Sequence, residues 1–364
     1  MSTQQTFLDL LARLVAIPSI EGATKEKNEI IALAKQWLTK CGIAVTDYPH
    51  AESPSIVADL PGTGKPILLL AHLDVVPADS HMFSLYRDGD ILKGRGVLDD
   101  KGPAALLMLL LSQLKKKGGA HRALRLCLTS DEEVGSLNGV QRLVHMNIFN
   151  DVGAVLALDG GGSTEVIFRE KGVIHLTLDA VGTSAHNSMP WLGDNAIEKI
   201  WRVYERLKNA LPPTENTDHW HPTVSIGMIH GGEFVNQLPA HATAKIDVRF
   251  TADHNEASIE TLVASCLENG VTAKKTSSGP SFETDINHPL LQQYRRVMTD
   301  ILGQPVNIGS EHGATDARFF THLNVPILIH DPDGGGMHTD EEWVSLAAAI
   351  KLLDGLEHFA REIA

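Results

Sequence analysis

The 364-residue sequence has little cysteine and no excess of positive charge, and these two shortages argue against several classes of protein. Its 3 cysteines, Cys41, Cys127 and Cys266, lie far apart and have no metal-ligand spacing, which argues against a disulfide framework or a cysteine-rich zinc module. We expect buried free thiols in a reducing compartment. The formal net charge of −14 argues against a nucleic-acid partner, because binding to phosphates requires a basic face.

A long apolar run is also missing. No segment approaches the ~20 apolar residues that cross a bilayer, and the amino-terminal stretch MSTQQTFLDLLARL lacks the basic start of a targeting peptide. The sequence therefore predicts a cytoplasmic protein that has no membrane partner. Its hydrophobic content of 43% and charged content of 21% are those of a globular protein with a sizeable core, and its length suits two domains.

An apolar run at residues 67–74, ILLLAHLD, predicts a buried strand of a parallel sheet that ends in His72 and Asp74. Ligands bind at the carboxyl edge of such sheets, and residues two apart on a strand point to the same side. We interpret His72 as a metal ligand with Asp74 behind it. A histidine that only completes a packed core is the alternative, and it loses weight because further metal-binding side chains follow.

Two adjacent aspartates lie on a loop later in the chain. Residues 94–101 form a glycine-broken loop that delivers Asp99 and Asp100 to the start of an apolar helix. Carboxylates are favoured at a helix amino terminus in any protein, so one of the two could be a helix cap. A pair of aspartates after a Gly-Arg-Gly loop nevertheless favours a role beyond capping.

Carboxylates also follow the next two predicted strands. Glu132 and Glu133 come after the apolar strand at 124–129, and Asp159 follows the strand at 154–158, before three glycines. Adjacent glutamates on extended backbone cannot point the same way, so one can bind a metal while the other faces the reacting centre. Because these carboxylates would repel one another without cations, the sequence predicts a metal site suited to hydrolysis.

The pattern changes at about residue 171. From there to 282 the predicted elements run β-α-β-β-α-β, which is the split βαβ order of a ferredoxin-like layer. We therefore expect an α/β protein with a mixed central sheet flanked by helices, built from residues 1–170 and 283–364, and an inserted ferredoxin-like α+β domain at 171–282. Within the first part, the strands at 55–60 and 67–70 are expected to form a hairpin or to lie side by side.

A histidine late in the chain completes a ligand set. His338 lies on the glycine-rich stretch GGGMHTDEEW. Two zinc ions ~3.5–4 Å apart, bridged by one carboxylate and a water, need about as many ligands as these histidines and carboxylates supply. One glutamate is then left over as general base. The candidate ligands are His72, Asp99, Glu133, Asp159 and His338, and the glutamate left over is Glu132.

The combined motifs resemble the co-catalytic zinc peptidase and deacylase family. They are H-L-D, G-R-G-x-x-D-x-K-G, D-E-E-x-G, a later Asp, S-A-H-x-x-x-P and a late H-T, and they cover nearly the whole chain. That family includes acetylornithine deacetylase, succinyl-diaminopimelate desuccinylase, aminoacylase, glutamate carboxypeptidase and di- and tripeptidases. Each motif alone is weak, whereas the set is specific.

The resemblance implies two Zn²⁺ ions per subunit, with Co²⁺ or Mn²⁺ able to substitute. The ions would be held by five side chains: Asp99 between them, His72 and Asp159 on one ion, and Glu133 and His338 on the other. Asp74 would orient His72 and raise its basicity. Glu132 would take the proton from the bridging water and pass it to the leaving amine.

The resemblance also implies residues that bind the substrate. His186, in TSAHNSMP, would polarise the scissile carbonyl in the partner subunit, which implies a homodimer through the inserted domain. Asn236 in VNQLP and Arg249 in KIDVRF would bind the carboxylate end of the substrate, a task that suits the arginine fork. Thr315 and Arg318, in GATDARF, resemble part of a desuccinylase substrate loop. Taken alone, Arg249 would be a surface residue of an edge strand and His186 a loop histidine without a role.

The substrate signals conflict. Asp159 followed by three glycines resembles the peptidase branch, including tripeptidases, whereas GATDARF and the opening of the insertion resemble the deacylases. Asp100 stands where the family commonly has methionine. The sequence thus predicts a zinc-dependent hydrolase of small N-acyl amino acids, with cleavage of di- or tripeptides as the near alternative. A binding protein that has lost catalysis is a weaker alternative, because Glu132 and every candidate ligand are present.

Overall fold

The computed structural model describes residues 2–213 and 219–362. Its α-helices are α1 (Thr3–Val15), α2 (Thr24–Lys40), α3 (Lys101–Lys117), α4 (Val140–His145), α5 (Ala196–Ala210), α6 (Glu256–Cys266), α7 (Pro289–Leu302) and α8 (Leu346–Arg361). Its strands are β1 (Ala44–Tyr48), β2 (Ser55–Leu60), β3 (Thr63–His72), β4 (Tyr86–Asp88), β5 (Ile91–Lys93), β6 (Arg122–Thr129), β7 (Ala154–Ala157), β8 (Glu165–Glu170), β9 (Gly172–Val181), β10 (Thr223–Gly231), β11 (His241–Phe250), β12 (Val271–Gly279), β13 (Phe282–Glu283), β14 (Asn307–Glu311), β15 (Ile327–Ile329), β16 (Gly334–Gly335) and β17 (Trp343–Ser345).

The chain divides into two compact units. The first unit comprises Met1–Arg169, Thr284–Glu311 and Thr315–Ala364. The second unit comprises Glu170–Glu283 and His312–Ala314. Each unit has its own hydrophobic core.

The first unit is built on a mixed sheet. Its strands run in the order β1-β2-β6-β3-β7-β15-β8, with β14 also paired to β8. The central strands β6, β3, β7 and β15 are parallel to one another, and the outer pairs are antiparallel. All residues of β7 and β15 are buried apolar residues, as in sheets that helices cover on both faces. The predicted mixed central sheet is confirmed.

Two strands that the sequence places side by side are separated by a third. β6 lies between β2 and β3, antiparallel to the first (Ile56↔Leu128) and parallel to the second (Ile67↔Leu124). The predicted β2–β3 hairpin is therefore wrong. The turn between them instead contacts the start of β6. The approach is so close that a Cβ at Gly62 would lie 2.6 Å from the Arg122 backbone. The mostly buried strand β6 pairs on both edges, which satisfies its backbone N–H and C=O groups away from water.

Helix α3 anchors the loop that precedes it. Every residue from Lys101 to Leu111 is buried, and the helix packs against α1, α8 and β3. A helix that is apolar on most sides is stable only inside a core. Burial of α3 consequently fixes the position of the loop at residues 94–100.

A small antiparallel sheet of the first unit joins two loops. Its strands run in the order β16-β17-β5-β4, with Trp343 opposite Lys93 and Gly335 opposite Trp343. The loop at 94–100 leaves from the end of β5, and the loop at 336–342 connects β16 to β17. Both loops therefore start from neighbouring strands.

The second unit has the ferredoxin-like order that the sequence predicts. Its antiparallel sheet runs β10-β11-β9-β12, and α5 and α6 pack on one face. Alternate residues of β11, among them Ile246 and Val248, are buried on the helix side. The intervening positions, which include Asp247 and Arg249, lie on the other face.

The cysteines are free thiols, as expected. Cys127 and Cys266 are buried, whereas Cys41 is only partly buried, so the expectation of burial holds for two of the three. In the described ranges, no helix combines the length and apolar character needed to cross a membrane.

Candidate metal centre

Five side chains that the sequence singles out come together in the first unit. His72 is the last residue of β3, and Asp159 follows the end of β7 by two residues. Glu133 lies on the 3₁₀ turn Glu132–Val134 after β6, Asp99 on the loop before α3, and His338 on the loop before β17. β3, β6 and β7 are parallel, so their carboxyl ends meet at one edge of the sheet.

The five side chains form two groups that share one carboxylate. His72, Asp99 and Asp159 form one group, and Asp99, Glu133 and His338 the other; within each, the potential ligand atoms lie within 4.8 Å of one another. Oδ1 of Asp99 is 3.0 Å from Nε2 of His72, and Oδ2 is 3.0 Å from Nε2 of His338. Each oxygen of Asp99 thus faces one histidine, which is the arrangement of a bridging carboxylate.

The donor set fits a pair of metal ions. Oε1 of Glu133 is buried and makes no hydrogen bond within the described residues. Burial, with the charge of Asp99, raises the pKa of Glu133 to about 7, and burial raises that of Asp159 well above its ordinary value. Bound cations would offset this cost, and imidazole nitrogen with carboxylate oxygen suits Zn²⁺, Co²⁺ or Mn²⁺.

Asp74 contacts both sides of the centre. Its carboxylate oxygens accept hydrogen bonds from the backbone N–H groups of Glu132 (3.2 Å) and Glu133 (3.0 Å). Its backbone carbonyl lies 3.0 Å from Nδ1 of His72, and its carboxylate lies 3.5 Å from the same nitrogen. The structure therefore assigns the closer contact with His72 to the Asp74 carbonyl and leaves the carboxylate to hold the glutamate turn.

Glu132 lies beside the two groups and belongs to neither. Burial raises its pKa to about 8; the charges of His72 and Arg318 oppose this rise, and that of Asp316 adds to it. Sequence reasoning missed Asp316, although it lies in the same GATDARF stretch as Thr315 and Arg318. Its carboxylate is buried and accepts a hydrogen bond from the Ser136 hydroxyl.

The two weaker substrate candidates of the first unit have local partners. The Thr315 hydroxyl accepts from the Ala317 backbone N–H (3.3 Å) and so caps the 3₁₀ helix Asp316–Leu323. Arg318 is buried, donates to the Thr315 carbonyl and lies 4.3 Å from the centre of the Phe319 ring. Their contact with a substrate stays a prediction.

Asp100 does not cap helix α3. It occupies the N-cap position, but its side chain makes no capping hydrogen bond; it accepts instead from the His72 backbone N–H at 2.8 Å. Asp331, which sequence reasoning missed, accepts in the same way from Gly160 at 3.2 Å. Both carboxylates are buried, and each holds the backbone of a candidate ligand or its neighbour.

In the second unit, the structure brings His186 and Asn236 together. Both line a cavity of about 370 Å³. The Asn187 N–H donates to the Asn236 carbonyl (3.0 Å), and the His186 backbone pairs with that of Gln237. Nδ1 of His186 lies 2.8 Å from the Ser188 hydroxyl, and Nε2 makes no hydrogen bond within the described residues.

Arg249 also lies in the second unit, on a central strand. β11 pairs with β10 and β9, so the alternative of an edge-strand residue is wrong. Nε and Nη2 of Arg249 donate to the two carboxylate oxygens of Asp247 at 2.9 and 3.0 Å. Nε2 of His175 lies 2.9 Å from the same carboxylate. One side of the guanidinium is thus occupied, and Nη1 makes no hydrogen bond among the described residues.

Residues 68–362 match the description of peptidase family M20/M25/M40. The chain belongs to this family. The resemblance stated from the motifs is confirmed, and the protein is a hydrolase of a metal-dependent family.

Curated and solved relatives of this M20 hydrolase have different names. A probable succinyl-diaminopimelate desuccinylase of Staphylococcus epidermidis is 26% identical, with 95% of each chain covered. A tripeptidase of Staphylococcus aureus has a similar fold, with a TM-score of 0.83, 19% identity and 98% of each chain covered. A dinuclear metal-binding M20 peptidase of Bacillus subtilis gives a TM-score of 0.71 at 16% identity, covering 98% of this chain and 97% of the other. Both substrate branches that the motifs indicate are thus found among similar proteins.

Proposed function

We propose that this M20 protein is a two-zinc amidohydrolase that cleaves the amide bond of small N-acyl amino acids. The observation that supports the proposal most directly is Asp99, whose two oxygens each lie 3.0 Å from a histidine of a different ligand group. A carboxylate shared by two metal sites, with a non-ligand glutamate beside it, is the set of residues that a two-metal hydrolase uses.

The residues of the first unit divide the chemical work. Bound Zn²⁺ would polarise the scissile carbonyl and lower the pKa of water at the site. Glu132, outside both ligand groups, accepts a proton at its carboxylate from the attacking water and returns it to the leaving amine. Asp74 keeps Glu132 in place through the backbone N–H at 3.2 Å. In a dimer, His186 in the second unit of one subunit would donate a hydrogen bond from Nε2 to the carbonyl oxygen in the site of the partner subunit as charge develops there.

The experiment that tests the proposal is an activity screen of the zinc-loaded protein with two panels. One panel holds N-acetyl and N-succinyl amino acids, and the other holds di- and tripeptides with a free amine. We expect turnover of the acyl panel. Cleavage of free-amine peptides alone would favour the tripeptidase alternative, which Asp159 and its three glycines support. No turnover of either panel by protein that holds zinc would reject amide hydrolysis.

We propose Arg249 as the group that binds the substrate carboxylate. Asp247 fixes its guanidinium by two bonds, and Nη1 has no partner among the described residues, so it can donate to a second carboxylate. Arg249→Gln should raise KM by about 10–100-fold, because a hydrogen bond to a charged group contributes roughly 1.5–3 kcal/mol. With the unaltered protein, amidation of the substrate should raise KM by a similar factor, and with the variant it should change KM little.

Arg202→Gln is the matched control, since Arg202 lies in the same unit and also pairs with a carboxylate, that of Glu268. Equal rates for acid and amide would reject the clamp.

We also propose a homodimer through the second unit. This unit exposes Val181, Trp191, Leu192 and Trp201, with Trp191 at 75% exposure. Its edge strand β10 pairs with β11 on one side only, within the described part of the chain. Large exposed apolar side chains and an unpaired edge are typical of surfaces that contact another chain. The occupant we propose is a second copy of the same unit.

A mixing experiment tests the dimer and the role of His186 together. If His186 acts in the partner's site, His186→Ala chains mixed with Glu132→Gln chains should form heterodimers with one complete site. Random pairing would restore about a quarter of the unaltered activity, because half of the dimers are mixed and each has one working site. Each variant alone serves as the control. Verified heterodimers without recovery would contradict a role across the dimer, and a monomer in solution would contradict the dimer itself.

A further inference from the structure

Two adjacent glutamates at the end of the His338 loop have opposite environments. Glu342 is fully buried, whereas the side chain of Glu341 is 79% exposed and reaches Lys93 at 2.8 Å. A buried carboxylate is costly unless hydrogen bonds satisfy it. The donors around Glu342 therefore indicate what it does.

The donors to Glu342 come from one short loop. Oε2 accepts from Nη1 of Arg95 (2.6 Å) and from the Gly96 backbone N–H (3.1 Å). Oε1 accepts from the backbone N–H groups of Leu98 (3.0 Å) and Asp99 (3.2 Å). Three of the four donors are thus main-chain groups of residues 96–99, and the last belongs to Asp99 itself.

The geometry points to Glu342 as a positioning residue of the metal centre: its carboxylate fixes the loop that carries Asp99 against the loop that carries His338. This inference rests on the proposed two-metal function. The small sheet aligns the bases of both loops, since Trp343 lies opposite Lys93. Glu342, the last residue of the His338 loop, adds a side-chain link to the other loop, because it lies four residues after one ligand and bonds to the backbone of the other.

Small movements of this loop matter because Asp99 must serve two sites at once. Each of its oxygens lies 3.0 Å from a different histidine, so a shift that improves one contact lengthens the other. Groups behind metal ligands commonly change metal affinity or activity by about 10–100-fold when replaced. Without Glu342, the N–H groups of Gly96, Leu98 and Asp99 would lose their common acceptor, and a buried loop without acceptors rearranges.

The main competing role is charge balance with Arg95, whose side chain is only 2% exposed. Arg95→Met separates the two roles, because it removes the cation and keeps the three main-chain bonds to Glu342. If Glu342 acts on the loop, Arg95→Met should bind zinc within about threefold of the unaltered protein, well below the 10–100-fold loss expected of the Glu342 variant. A loss as large as that of the Glu342 variant would assign the effect to charge balance and overturn the inference.

The test compares Glu342→Gln with its exposed neighbour Glu341→Gln in the full-length protein. Zinc content per chain, zinc affinity by chelator competition, thermal unfolding of the metal-free protein, kcat and KM are measured for each. We expect Glu342→Gln to bind zinc about 10–100-fold more weakly and to lose kcat by a similar factor with KM little changed. Glu341→Gln should match the unaltered protein.

Each outcome separates this inference from the proposed function. If the unaltered protein binds no zinc, the two-metal function fails, whatever the variants do. If it binds zinc and a folded Glu342→Gln binds it equally well with unchanged kcat, the positioning role is wrong. Should Glu342→Gln not fold, Glu342→Asp keeps the charge beside Arg95 but is shorter by one methylene. That variant should fold and bind zinc less tightly, and unaltered zinc affinity in it would equally reject the role.

Discussion

Replacing Glu132 with glutamine should stop turnover while both metal ions stay bound. Glutamine keeps the size of the side chain but cannot accept and return a proton, and general acid–base catalysis contributes about 10²–10⁴-fold to a rate. Glu132 belongs to neither ligand group, so metal content should not change. The check is kcat together with zinc content per chain for the same preparation.

The adjacent glutamate is the matched control for that experiment. Oε2 of Glu133 lies 3.2 Å from Nε2 of His338, and Glu133 belongs to the second ligand group. Glu133→Gln should therefore lose zinc, mainly from one site, as well as activity. If Glu132→Gln loses both ions, or if it keeps more than about a tenth of the activity, the general-base assignment is wrong.

Replacing Asp99 with asparagine should empty both metal positions. Asp99 is common to the two ligand groups, so one substitution removes a ligand from each. An amide is a poor metal ligand beside imidazole and carboxylate, and we expect zinc content to fall from about two ions per chain to about none after dialysis. Added zinc should raise the unfolding temperature of the unaltered protein and have little effect on Asp99→Asn, since only a state that binds the ion is stabilised.

Asp159→Asn distinguishes a shared ligand from an ordinary one. Asp159 belongs only to the group with His72, so this variant should keep about one ion per chain. If Asp99→Asn and Asp159→Asn each lose a single ion, Asp99 does not bridge. If Asp99→Asn keeps two ions, the proposed two-metal centre has the wrong ligands.

The clustering of the candidate ligands could be predicted because parallel strands end at a common edge. His72 ends one apolar strand, Glu133 and Asp159 each follow another, and β3, β6 and β7 are parallel neighbours. Alternation and spacing in the second unit were equally informative, because one face of its sheet is buried under helices and the other is not. Local patterns carry such information wherever burial repeats along the chain.

Other features depend on contacts between distant residues. The turn after β2 predicts a hairpin, yet β6 enters between β2 and β3 although it begins 50 residues after β3 ends. Glu341 and Glu342 are adjacent glutamates, and no local pattern distinguishes them. Only the position of the 94–100 loop makes Glu342 a buried hydrogen-bond acceptor. The roles of Asp316 and Asp331 likewise depend on distant residues, since their hydrogen-bond partners Ser136 and Gly160 are far away in the chain.

The sequence by itself determined the family, the mixed α/β fold and the ligand candidates, because motif spacing and strand ends are local properties. Tertiary structure decided which strands pair, that Asp99 faces both histidines, and that Asp100 holds the His72 backbone rather than a helix end. It also decided that His186 lies beside Asn236 and that Asp247 fixes Arg249. The physical reason is that hydrogen bonds and burial between residues far apart in the chain are set by packing, which no local pattern encodes.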